Sequence, residues 1–116
     1  MNRINKCTRN SEIEKAYRRC KFEGDKIYSN SDITDIVNKE YPTIGSIMPS
    51  DYCYNNINKD KDLVKNFLKR AHFFEKIGHN QYVYLGENFK YTGDILYKNA
   101  CVGKWQNGEI EYLDFS

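Results

Sequence analysis

Residues 26–56 read KIYSNSDITDIVNKEYPTIGSIMPSDYCYNN, and the way this stretch divides decides the fold. Ser31, Asp32 and Asp35 suit the positive start of a helix, with Ile33, Ile36 and Val37 on its inner side. Tyr41-Pro42 ends that helix, because the residue before a proline is pushed out of helical geometry. Thr43-Ile44-Gly45 makes a short turn. A further helix is expected to start between Met48 and Ser50, where Pro49 is comfortable in a first turn, and to run to Asn56. Ile47, Tyr52 and Cys53 would pack inward, leaving Ser46, Ser50, Asp51, Tyr54, Asn55 and Asn56 open. Two helices joined by a tight turn, the second with a polar face, follow the order of a helix-turn-helix.

Towards the C-terminus, FFEKIG and QYVYLG alternate on either side of Gly78-His79-Asn80. That pattern predicts a hairpin over 73–85, in the position of a wing. Towards the N-terminus, Ser11 with Glu14 three residues on forms a capping box for a first helix over 11–21. Ile13, Ala16, Tyr17 and Cys20 make its apolar stripe. Lys26 to Ser29 suits a short strand. NKDKD at 58–62 reads as a solvated connector, and Leu63, Val64, Phe67 and Leu68 are spaced for a short fourth helix. Residues 94–98 alternate weakly. The clearest hairpin is CVGKWQ and EIEYL around Asn107-Gly108, a pair that readily adopts left-handed dihedrals.

The expected fold class is therefore α+β: a winged helix-turn-helix core with a wing hairpin and an extra C-terminal β-hairpin packed on the wing. One domain is expected over 1–116, helical over about 11–72 and β-rich over about 73–115. No linker or internal repeat divides it. The 116 residues should bury roughly 65% of the extended chain's surface, enough for one modest core.

Hydrophobic residues make up 40% and charged residues 29%, which suits a globular chain and excludes a disordered or fibrous one. Most of the ten tyrosines are expected in the core, where the ring buries apolar area and the hydroxyl needs one partner. Net charge is +2, but residues 1–28 carry +4 and residues 69–104 carry +3 around a middle of −2, with −3 from Trp105 onward. Basic segments flanking a near-neutral middle fit phosphate contacts on either side of a reading helix, although a mixed solvated surface explains them more plainly. Cys7, Cys20, Cys53 and Cys101 show no CxxC spacing and no histidine partner, so neither a metal site nor a cofactor is expected. The N-terminus lacks an apolar h-region and no run approaches membrane-spanning length, which points to a cytoplasmic protein with buried, reduced thiols and no membrane partner.

Catalysis has little to stand on. Of the two histidines, His72 sits before two phenylalanines and His79 in the hairpin turn, and neither has an evident nucleophile beside it. The carboxylates are isolated or interleaved with lysine, and no phosphate-cradling glycine motif occurs. The chain is read as a non-enzyme.

DNA binding asks for short polar side chains on a presented helix, with Asn or Gln able to pair with adenine. Ser46, Ser50, Tyr54, Asn55 and Asn56 are assigned to the major groove. Arg18, Arg19, Lys76 and Lys90 are assigned to phosphates, with His79 at the wing tip and Arg3, Lys6 and Arg9 as a basic arm. This reading requires residues 43–56 to present an open polar surface.

SIMPSDYCYN, YLGENFKYTG and VGKWQNG, in that order across residues 27–108, resemble a bacterial domain of unknown function with a winged-helix-like core. That domain occurs in restriction-type and HNH-nuclease proteins and beside mobile-element genes. The resemblance implies a role in recognising foreign DNA or in defence and anti-defence, in bacteria or phage. No nuclease motif is present, so a stand-alone binding module for double-stranded DNA is expected. The competing expectation is a small inhibitor or adaptor that binds a protein effector of a bacterial immune or restriction system, and a homodimer is a further option.

Overall fold

The structure, a computed structural model, describes residues 6–58 and 65–114, with side chains over 9–58 and 67–114. Helix α1 spans Lys6–Arg19, strand β1 Ile27–Tyr28 and helix α2 Asn30–Glu40. A 3-10 turn covers Pro49–Tyr52, followed by β2 at Asn56–Ile57 and α3 at Lys65–Lys69. Strands β3 (Phe74–Gly78), β4 (Gln81–Tyr84), β5 (Gly93–Tyr97), β6 (Ala100–Gln106) and β7 (Glu109–Leu113) complete the chain. The fold is α+β. Leu63, Val64 and most of the 58–62 connector lie outside the described residues, as do the side chains of Arg3 and Lys6.

The helices carry the expected stripes but start elsewhere. Ile13, Ala16, Tyr17 and Cys20 are buried from α1, while Ser11 lies inside that helix instead of capping it. Arg9, two residues before Ser11, reaches the loop after α2, where its guanidinium donates to the carbonyls of Ile44, at 2.8 Å, and Ser46. The cap of α2 is Ser29, not Ser31: its Oγ accepts from Asp32 N–H at 3.1 Å and Asp32 accepts from Ser29 N–H at 2.9 Å. A reciprocal box needs a side-chain acceptor at the third helical position. Asp32 supplies it for Ser29, whereas Ser31 would have Thr34. Tyr41 closes α2 as expected, its N–H bonding Val37 O.

Two sheets form. The first has the order β1-β4-β3, antiparallel throughout, with Tyr28 beside Tyr82 and Phe74 beside Tyr84. It packs with α1 and α2 around Tyr17, Ile33, Val37, Phe73 and Phe74. The second has the order β2-β5-β6-β7, and its core is Tyr54, Ile57, Phe67, Tyr91, Ile95 and Trp105. The C-terminal hairpin thus belongs to a sheet of its own and is not hydrogen-bonded to the wing. Its turn is as expected, with Asn107 at φ 55° and Gly108 at φ 86°.

The expected third helix is absent. Pro49 opens a single 3-10 turn, after which residues 53–57 form a strap between the sheets: Cys53 bridges Phe74, the chain bends at Tyr54 and Asn55, and Asn56–Ile57 form β2. Phe73 N–H donates to Tyr52 O at 2.8 Å and Tyr54 N–H to Phe74 O at 2.9 Å, which ties the strap to β3. Leu96 N–H donates to Asn55 O at 3.0 Å, and Asn56 and Ile57 pair in parallel with Leu96 and Tyr97. Two open strand edges satisfy this backbone better than a lone helix would, so no helix forms over the strap. The second helix of the expected helix-turn-helix therefore does not form over residues 48–56.

Candidate functional site

The strap also decides where the expected contact residues go. Tyr54 is 3% exposed, stacked on Tyr91 with centroids 5.2 Å apart, and its carbonyl accepts from Trp105 Nε1 at 2.6 Å. Its hydroxyl donates to Gly86 O at 2.6 Å. Ser50 is 8% exposed and hydrogen-bonded to Tyr82. Neither side chain faces outward, because the second sheet and β4 cover them. Ser46 is exposed, in a hollow of about 320 Å³ shared with Arg9, Met48 and Asp51. Its main-chain carbonyl is held by Arg9. An open polar surface over the whole of 43–56 does not exist.

Asn55, Asn56, Lys76 and His79 do come together. With Ile77, Gly78, Leu96 and Asn99 they line a cleft of about 480 Å³ between the β3–β4 hairpin and the β5–β6 hairpin. Among the described residues that line it, none is a carboxylate. The Asn55 amide is occupied: Nδ2 donates to Lys76 O at 2.8 Å and Oδ1 accepts from Lys76 N–H at 2.9 Å. Asn55 therefore copies a strand pairing with its side chain and cannot also reach a base. Lys76 is half-buried, and His79 is exposed in the hairpin turn. The cleft can accommodate an anion through one ammonium, one imidazole and the amides of Asn56 and Asn99.

The other cations are dispersed. Arg18 forms a two-pronged ion pair with Glu87, at 2.7 Å from Nε and 2.8 Å from Nη2, and also reaches Glu14 at 3.4 Å. That hydrogen bonding raises the Arg18 pKa and lowers the Glu87 pKa. Its charge is matched within the protein, which leaves little for a phosphate. Arg19 lines a separate hollow of about 430 Å³ with Lys21, Lys39 and Glu40. Lys90 lies beside the Asn107–Gly108 turn, apart from the cleft lining.

Sequence reading missed Asn99. The weak alternation of β5 hid a two-residue hairpin turn, Lys98–Asn99, with both residues left-handed at φ 50° and 65°. The signal was an Asn between two alternating runs. The tyrosines are mainly core, and only Tyr112 is among the exposed large hydrophobics. Cys20 and Cys53 are buried free thiols, whereas Cys101 is exposed, against expectation. Burial pushes the Cys53 thiol up. Among the described residues, no helix is long and apolar enough to cross a membrane.

A family model described as Domain of unknown function (DUF7225) matches residues 4–112. The chain is 37% identical over 90 residues to Uncharacterized protein YnaC of Bacillus subtilis (strain 168). That alignment takes in 72% of this chain and 32% of the relative, so the chain spans only part of the relative's length. No solved structure matches. Neither comparison connects the chain with restriction systems or HNH nucleases.

Proposed function

We propose that this chain, which belongs to the DUF7225 family, binds double-stranded DNA through the phosphate backbone, using the cleft beside the β3–β4 hairpin in place of a base-reading helix. The observation that carries the reading is the lining of that cleft: Lys76, His79 and asparagine amides, without a carboxylate among the described residues. A winged-helix-like core is part of the proposal. It is supported by the order α1, β1, α2 and then a hairpin whose second strand pairs antiparallel with β1. The proposal involves no catalysis and no cofactor. A setting among systems that restrict or exchange foreign DNA is where such a module would serve.

Contacts to phosphate position a protein without reading sequence, so binding should be weak, salt-dependent and indifferent to sequence. An anisotropy titration with random duplex at low and moderate salt tests this. Micromolar binding that weakens with salt is expected, and Lys76→Gln should lower the slope of log K against log salt by about 0.9. Absence of binding at low salt would remove the reading.

A second reading, a docking module for a protein effector, is favoured by Ile27 and Ile77. These side chains of the three-stranded sheet are 53% and 45% exposed. The same titration separates the two, since an apolar contact surface gives no salt-dependent DNA binding.

A further inference from the structure

The C-terminal ends of α1 and α2 come together, and Cys20 Sγ, just past α1, stands 4.0 Å from Ile36 O of α2. A helix C-terminus is the negative end of its dipole and favours cations in the last turn. Arg19 and Lys39 occupy those last turns. Lys21 follows α1 and adds a third cation. All three line the hollow of about 430 Å³ beside Cys20 and Ile36, where Glu40 is the one carboxylate among the described lining residues.

These cations are unmatched. Arg18, next to Arg19, is held by Glu14 and Glu87. Arg19, Lys21 and Lys39 are exposed and make no ion pair among the described residues. The dipoles account for where Arg19 and Lys39 stand, but three like charges around one hollow repel each other and attract an anion from outside. Among the described residues, none of the exposed large hydrophobics lines the hollow, so it offers nothing to a lipid layer. Helix α2 links this hollow to the cleft. Asn80, in the β3–β4 turn, accepts Asn30 N–H at 2.8 Å and ties the first residue of α2 to that hairpin. Lys39 stands nine residues further along the helix, about 13 Å away. One turn of duplex is about 34 Å long, so a single duplex is long enough for both.

Resting on the phosphate-backbone reading above, we infer that the hollow between the ends of α1 and α2 is a second contact for the DNA backbone, in which Arg19, Lys21 and Lys39 each neutralise a phosphate. Each such contact releases condensed counterions and adds to the salt dependence of binding. Glu40 limits the net charge of the hollow, and the contact carries no base readout.

The experiment compares wild type, Lys21→Gln, Lys39→Gln and Lys104→Gln in anisotropy titrations with a fluorescent random duplex, from about 50 to about 200 mM salt. Lys104→Gln removes the same charge from a side chain paired with Glu111 at 4.0 Å, and serves as the control for net charge. Thermal melting of each variant verifies that it is folded. The expected result is a slope of log K against log salt lower by about 0.9 for Lys21→Gln and for Lys39→Gln, and unchanged for Lys104→Gln. A wild-type slope in either hollow variant, or the same drop in Lys104→Gln, would overturn the second contact and leave the cleft reading intact. Absence of wild-type binding would remove the cleft reading and the second contact together.

Discussion

At Asn55, an amide suited to adenine is occupied by the backbone of Lys76. Truncating it strands one N–H and one C=O at the edge of β3. Asn55→Ala should therefore lower stability by roughly 2 kcal/mol, while Asn56→Ala should change it by less than about 0.5 kcal/mol. Urea midpoints of the two variants test the contrast, and equal losses would contradict the clamp. His72 offers a second test. It is buried against Phe67, Tyr54 and Trp105 and bonds the Phe67 backbone. Burial, with the Arg70 charge as a lesser cause, lowers its pKa to about 4 from the ordinary 6.5. Between those values the unfolded chain holds the proton and the fold does not, so unfolding takes up a proton. Stability is fully present above the unfolded value and falls as pH drops through the window, by roughly 3 kcal/mol in all. Urea midpoints followed from about pH 7 to about pH 4 should fall less steeply for His72→Phe than for wild type.

Elements formed where neighbours in sequence supplied the reason. The Asn107–Gly108 turn was legible because two adjacent left-handed residues need that chemistry, and both φ angles are positive. The start of α2 was legible too, once the acceptor at the third position is required as well as the serine. The strap was not legible. PSDYCYNN has alternating aromatic and polar residues that suit a helix face or a strand equally, and propensity yields to whichever edges stand nearby. Within the second sheet, Gly103 marks a close approach. A Cβ there would lie 2.7 Å from Tyr112 O and 2.6 Å from Leu113 Cδ1. The carbonyl belongs to β7 and cannot retreat without opening the ladder. Gly103→Ala should cost about 2–3 kcal/mol, visible as an earlier Trp105 fluorescence transition. A midpoint within error of wild type would contradict the contact.

The whole molecule is two cores joined by one strap. Its radius of gyration, 14.1 Å, is near the roughly 13 Å expected for a compact chain of this length. Trp105, the single tryptophan, sits in the second core and bonds the strap through Nε1. Tyr91 of that core donates to Glu75 of β3 at 2.7 Å, and Arg18 of α1 grips Glu87 beyond β4. These links cross between the bodies, so the cores should unfold together. Tryptophan fluorescence and far-ultraviolet circular dichroism should then give coincident denaturation curves. Separate midpoints would mean that the strap does not couple them.

By itself the sequence determined the α+β class, the helical stripes and the hairpin turns at His79–Asn80 and Asn107–Gly108, since each follows from spacing and turn chemistry among near neighbours. Only the tertiary structure decided that residues 53–57 form a strap between the sheets and not a helix, that Tyr54 is core, and that Asn99 joins Lys76 and His79 in one cleft. The partners responsible stand far along the chain, 21 residues away for the Asn55 clamp and 51 for the Trp105 bond. Which strand edge lies open to a segment is set by how the rest of the chain has packed, and local pattern carries no record of it.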